Sequence, residues 1–258
     1  MRVPTRPARD PAEITIERVT VLYALESEAT PLVERLGLQE QPAVDPQLRP
    51  RHFAGTVGTL HVDLLTLGRD PRSGTERVGT DAATMGAYMG IRKLSPDLLL
   101  NAGTCGGFEA RGATVGTIYL SQGDLLFHDR RIPLDRFAMQ AAGRWPSAHA
   151  PNLAAAIGAR PGVVSTGNSL DVLPGELEFF ARERVCAKDM EACSIAQVCA
   201  LAGVPFVAVK AVTDLVDHPE PVQDAFLRNL RMVTALLGER LEAGVRWLGA
   251  RPRRLPEL

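Results

Sequence analysis

The chain lacks any long uninterrupted apolar run, and no segment reaches the roughly 20 residues that a membrane-spanning helix needs. Its opening residues, MRVPTRPARDPAEIT, hold neither an apolar core nor a small-residue cleavage site, so no secretory signal is expected there. It also lacks an excess of either charge. Lys and Arg number 29 against 30 Asp and Glu, a formal net charge of -1, so bulk electrostatics draws it neither to nucleic acid nor to an anionic membrane. Cysteine is scarce: Cys105, Cys186, Cys193 and Cys199, with no CxxC pair. That excludes a disulfide framework and leaves small, buried, apolar cysteines in a reducing compartment, with the cytoplasm as the default location. The five histidines, His52, His61, His128, His149 and His218, are scattered and form no HExxH, so neither a catalytic nor a structural metal is expected. There is no GxxxxGK[ST] phosphate loop, no dinucleotide fingerprint and no GxSxG elbow. No cofactor is expected.

What is present is ordinary for a globular protein: 45% hydrophobic and 23% charged residues over 258 positions, enough for one buried core. Residues 1–15 read as a loose, Pro- and Arg-rich arm, 16–250 as one domain, and 251–258 as a basic tail. ERVTVLYA is a β-branched strand, and SEATPLVERLG is a helix that stops at Gly37. RHFAGTVG and LHVDLLTLG are two strands joined at Gly58. The run 75–94 has helical spacing and ends before Pro96. DLLLNAG is apolar throughout, as in a strand buried on both faces. GTIYLSQGDLLF, RPGVVSTG, RVCAKD and VPFVAVKAV are further strands. MEACSIAQVCALAG and the long stretch 221–249 are helices. The segment 134–160 is weakly patterned. Strands alternating with helices predict a single α/β domain with a mostly parallel central sheet, whose ligands sit at the carboxyl ends of the strands.

The residues just past those strands carry the chemistry. Glu26 and Glu28 come after the first, the glycine-rich run 103–107 after DLLLNAG, Asp189-Met190-Glu191 after RVCAK, and Thr213-Asp214 after VPFVAVKAV. Each has a bland reading: first-turn acids favour a helix dipole, Asp189 is a natural N-cap, and a glycine run is a tight turn. Convergence of all of them on one sheet edge favours a site. Cys105 with His128 as its base is the weaker alternative, because no third group orients the pair; a buried loop cysteine is the simpler reading.

NAGTCGGF (101–108), FHDRRIP (127–133), STGNSLD (165–171), KDMEA (188–192) and KAVTDLVD (210–217) resemble the motifs of the 5′-methylthioadenosine nucleosidases, the plant-type branch above all, within the nucleoside phosphorylase superfamily. Order and spacing agree from about Val19 to the final helix. The resemblance implies one α/β domain whose central mixed, partly barrel-like sheet is ringed by helices. It implies a homodimer in which the partner subunit closes part of the pocket. It implies hydrolysis of the adenine–ribose bond of a 5′-thio-substituted adenosine. Glu28 then matches the base that activates water, and Asp214 the acid that protonates adenine N7. Met190 and Glu191 match the ribose clasp; Thr104, Cys105 and Gly106 line ribose and base. Leu170 and the backbone of Asp171 hold adenine, and Phe226 walls the 5′-alkylthio pocket. Ile132 lies in the segment given to the partner's pocket. The chain departs from the pattern at Leu25, Asn168 and Ala192-Cys193. Other readings are a hydrolase of another adenosine-like nucleoside, of aminodeoxyfutalosine type, a phosphate-dependent phosphorylase, and a non-catalytic nucleoside binder. Asn101 ahead of the glycine run, and carboxylates at the first junction, disfavour a phosphate dianion, although Arg69 and Arg77 lie near in sequence.

Overall fold

The computed structural model describes residues 10–258. In chain order, β1 (Thr15–Ile16) and β2 (Arg18–Tyr23) lead to α1 (Glu26–Leu36), then β3 (Gln39–Gln41), β4 (His52–Val57) and β5 (Leu60–Thr66). Next come α2 (Thr80–Leu94), β6 (Leu98–Gly107), β7 (Ile118–Ser121) and β8 (Asp124–Phe127). The weakly patterned stretch holds α3 (Asp135–Ala142), β9 (Gly143–Pro146) and α4 (Pro151–Ile157). After it stand β10 (Arg160–Thr166), α5 (Glu176–Arg182), β11 (Val185–Asp189), α6 (Ala192–Ala202), β12 (Phe206–Leu215), α7 (Val222–Gly249) and β13 (Arg253–Arg254).

β2 to β12 make one sheet in the order β3-β4-β5-β2-β6-β12-β7-β10-β8-β9, with β11 attached off that path. The strands β5, β2, β6 and β12 run parallel to one another, whereas β7 opposes β12 and β4 opposes β5. The sheet is therefore mixed, as the resemblance implies, rather than mostly parallel. β11 pairs with β10 on one side and with β6 on the other, which closes β6, β12, β7, β10 and β11 into a small barrel.

Alternation along the central strands sends side chains to two cores. Val19, Val21, Leu98, Leu100, Val207 and Val209 face α1, α4 and α7, where Leu32, Leu153, Leu237 and Leu241 meet them. Leu22, Leu65, Leu99, Phe206 and Ala208 face α2 and α6, where Ala83, Ala87, Ile195 and Cys199 meet them. Fully burying side chains of this size stabilises by about 1.5–3 kcal/mol each.

Three further expectations change. The first concerns the glycine run, which is not a loop. It is the second half of β6, still paired with β12 out to the Leu215–Gly107 partners. Glycine allows this close approach: a Cβ on Gly107 would sit 2.8 Å from Val212 Cγ1, and one on Gly106 would sit 2.9 Å from Asp214 Oδ2. Secondly, α2 starts at Thr80 and not at 75, because Gly79 takes φ +88°. Thirdly, the two ends are not loose where they are described. β1 pairs with β13, Ile14, Ile16 and Leu258 are buried, and Arg253 lies over the Trp247 ring at 3.5 Å. Apolar residues at both ends outweigh the polar composition around them. The remainder of the predicted arm, residues 1–9, lies outside the described residues.

Candidate active site

One cavity opens at the edge where β2, β6, β11 and β12 end. Glu28, Thr104, Cys105, Gly106, Leu170, Met190, Glu191, Asp214 and Phe226 all line it.

Glu28 stands in the first turn of α1 and is 3% exposed. Its Oε2 accepts from the Leu25 N–H at 3.3 Å, the capping contact expected of a first-turn acid. Oε1 reaches across to β6 and accepts from the Thr104 N–H at 2.8 Å and from Thr104 Oγ1 at 2.6 Å. Capping and site readings are therefore both met. Burial pushes the Glu28 carboxyl above its usual range, while the Thr104 donors, the Lys210 charge and the Leu25 N–H pull it back. Gly103 leaves room for this carboxylate: a Cβ there would sit 3.3 Å from Oε2.

Asp214 lies near the end of β12, just past a shift in register between Val212 and Asp214. That irregularity brings its side chain to the cavity. Oδ1 accepts from Thr213 Oγ1 at 2.7 Å. Burial raises Asp214 to about 6, against the opposing hydrogen bond from Thr213 and the charge of Lys188. An acid in that state holds its proton far longer than an exposed aspartate.

Glu191 precedes α6, and its Oε1 accepts from the Gly79 N–H at 2.9 Å. Burial raises Glu191 too, opposed chiefly by the Lys210 ammonium. Lys210 is buried in β12 and pairs with Asp189 at 2.7 Å. Burial disfavours its charge, but Asp189 and Glu191 outweigh that and hold it protonated. Asp189 Oδ2 also accepts from the Ala192 N–H at the start of α6, and its Oδ1 accepts from the Thr166 hydroxyl, but the N-cap position itself is held by Glu191 and not by Asp189. Sequence reasoning did not single out Lys210 or Lys188. The available signal was a lysine in an otherwise apolar, buried strand, which requires a partner.

Two predicted residues lie elsewhere. Asp171 is exposed and is not on the cavity wall, although its neighbour Leu170 is. A short irregular segment turns one residue in and the next out. Ile132 lines a separate hollow with Phe127, His128, Leu173 and Phe179, so it makes no part of its own chain's cavity. His128 is in that hollow as well. Its Nδ1 lies 3.0 Å from Ser165 Oγ, and burial lowers it to about 4. Cys105 is buried and its thiol is pushed well up by that burial, so no thiolate–histidine pair forms.

The arginines near the first junction are occupied. Arg69 pairs with Glu26 at 3.3 Å, Arg51 with Glu26 and Glu40, and Arg77 Nη1 donates to Leu48 O. None of the three lines the cavity. Asn101 is buried in β6, where its Nδ2 donates to Leu22 O at 3.0 Å. Asn168 accepts from the Thr80 N–H and hydroxyl and donates to Asp129.

The chain belongs to the phosphorylase superfamily, whose sequence profile matches residues 18–245. Within it, the chain is similar to nucleosidases. It is 38% identical over 224 residues to a 5′-methylthioadenosine nucleosidase of Arabidopsis thaliana, covering 86% of this chain and 84% of the relative. A 5′-methylthioadenosine/S-adenosylhomocysteine nucleosidase of the same plant is 36% identical, covering 88% and 89%. The apo structure of Arabidopsis thaliana 5′-methylthioadenosine nucleosidase superposes with a TM-score of 0.90 at 36% identity, over 94% of this chain and 99% of that one.

Proposed function

We propose that this protein hydrolyses the N-glycosidic bond of 5′-methylthioadenosine, releasing adenine and 5-methylthioribose, with S-adenosylhomocysteine as a second substrate of the same class. One observation carries the reading: a single cavity holds Glu28, Glu191 and Asp214, and burial raises Asp214 to about 6. Names of relatives that cover most of the chain support the substrate class.

Adenine is a poor leaving group as an anion. Asp214 donates its proton to N7, the C1′–N9 bond breaks with its electrons on a neutral purine, and an oxocarbenium-like sugar develops. Glu28, steadied by Thr104, takes a proton from the attacking water on the other side of the ring. An acid and a base facing across a sugar is the division of labour of an inverting glycosidase. Glu191 accepts the ribose hydroxyls beside Met190. Thr104, Cys105 and Gly106 border ribose and base, Leu170 borders the purine, and Phe226 borders the 5′ substituent. Occupied arginines and a carboxylate-rich cavity favour water over a phosphate dianion. Retention of both an acid and a base speaks against a mere binder.

A homodimer is part of the same reading, with Ile132 given to the neighbouring pocket; Ile132, Leu134 and Phe137 are exposed apolar residues on that side. Methionine salvage is the role that goes with this reading, and the cytoplasm is the location expected from the sequence.

The test is adenine release from methylthioadenosine by purified protein, with and without phosphate. Release in both is expected. Strict dependence on phosphate overturns hydrolysis, and a profile that prefers another adenosine-like nucleoside overturns the substrate.

A further inference from the structure

Lys188 is a cation held 5% exposed on the cavity wall, and neither proton transfer of the glycosidase reaction uses it. A buried ammonium needs acceptors for its hydrogens. Lys188 Nζ donates to Ser169 O at 2.6 Å and to Leu170 O at 3.1 Å. Those carbonyls belong to the stretch between the end of β10 and the start of α5, which has neither helix nor strand. The stretch walls the cavity through Leu170, a residue that is itself 43% exposed. It has no ladder of its own; the Lys188 ammonium spans two successive peptide groups in place of one. Burial lowers the proton affinity of that ammonium, and the carboxylates of Glu176, Asp214, Asp171 and Asp189 oppose the shift, with the neutral His128 ring nearby.

We propose that Lys188 is a positioning residue that anchors the 169–170 wall of the cavity and sets a positive charge in the cavity that Asp214 lines. The second role rests on Asp214 as the acid. When the Asp214 proton has moved to the purine, a carboxylate remains in a buried site. The Lys188 charge stabilises that carboxylate, while no atom or proton of Lys188 is transferred. Burial keeps the interaction from being screened as it would be at the surface.

Two readouts in Lys188→Met and Lys188→Arg decide it. The first needs no substrate: chymotryptic cleavage after Leu170 is expected to be about tenfold faster in Lys188→Met and near wild type in Lys188→Arg. The second is methylthioadenosine hydrolysis across pH. Lys188→Met is expected to raise KM about tenfold, as a displaced wall should. Its kcat/KM is also expected to persist to higher pH, because Asp214 without the neighbouring cation holds its proton longer. Lys188→Arg keeps the pH limb and recovers most of the KM. Melting curves follow folding of each variant; should Lys188→Met not fold, Lys188→Gln, neutral but still a donor, must show the pH displacement. Unchanged cleavage and KM in Lys188→Met overturn the anchor. An unmoved pH limb, or one that moves equally in Lys188→Arg, overturns the charge role. Absence of adenine release by the wild-type protein overturns the nucleosidase reading instead, and the cleavage comparison still judges the anchor.

Discussion

The first and second halves of β6 and β12 share one hydrogen-bond ladder and do opposite things. In the first halves, Leu98, Leu99, Leu100, Phe206, Val207 and Val209 fill the two cores. In the second halves, glycines at 103, 106 and 107 remove the side chains that would keep the strands apart, and Thr104, Cys105 and Asp214 meet the cavity. The backbone is continuous across the boundary. What changes is side-chain volume, and with it the ability to bring polar groups together out of water.

That contrast predicts separable effects, and the largest belongs to the second halves. Asp214→Asn should lower kcat by about 10²–10⁴-fold, the usual worth of one proton transfer, with the protein still folded and still binding substrate. Steady-state kinetics beside a melting curve checks this; an Asp214→Asn enzyme with near wild-type turnover would sink the acid assignment. In the first halves, Leu100→Ala should cost about 2–5 kcal/mol of stability and leave the turnover of the folded fraction nearly intact. Chemical denaturation separates the two quantities.

Asp214 also links the halves through pH. Its folded pKa of about 6 exceeds the ordinary 3.8, so the folded state holds the proton more tightly than the unfolded chain does. Stability is therefore lost as pH rises from about 4 to about 6, and Asp214→Asn should recover roughly 3 kcal/mol at pH 8 but nothing near pH 3.5. Melting at the two pH values tests the sign. A smaller effect is expected of Gly106→Ala, whose Cβ would press on Val216 Cγ2 at 2.5 Å and on Asp214 Oδ2 at 2.9 Å. Displacing the acid should lower kcat/KM about tenfold. The smallest is Cys105→Ser: a thiol kept neutral by burial is no nucleophile, so activity should stay within about threefold.

Much of the site was legible because acids recur just after apolar strands. Glu28, Glu191 and Asp214 could be named from that rhythm and from the motif resemblance, and all three line one cavity. Lys188 and Lys210 were not named, because a lysine in a strand says nothing of its partner until Ser169, Leu170 and Asp189 come beside it. The pairing of β1 with β13 escaped notice for the same reason, since each end is too short and polar to read as a strand alone.

By itself the sequence determined which segments are buried strands, which are amphipathic helices, and which acids stand at strand ends, because these follow from periods of two and 3.6 residues along the chain. Tertiary structure alone decided the barrel closure by β11, the run of glycines as strand, and the charges that tune the acids. Glu28 meets Thr104 across 76 residues and Glu191 meets Gly79 across 112. Contacts at such separations are properties of the packed sheet, where burial and neighbouring charge set each proton affinity, and no local pattern encodes them.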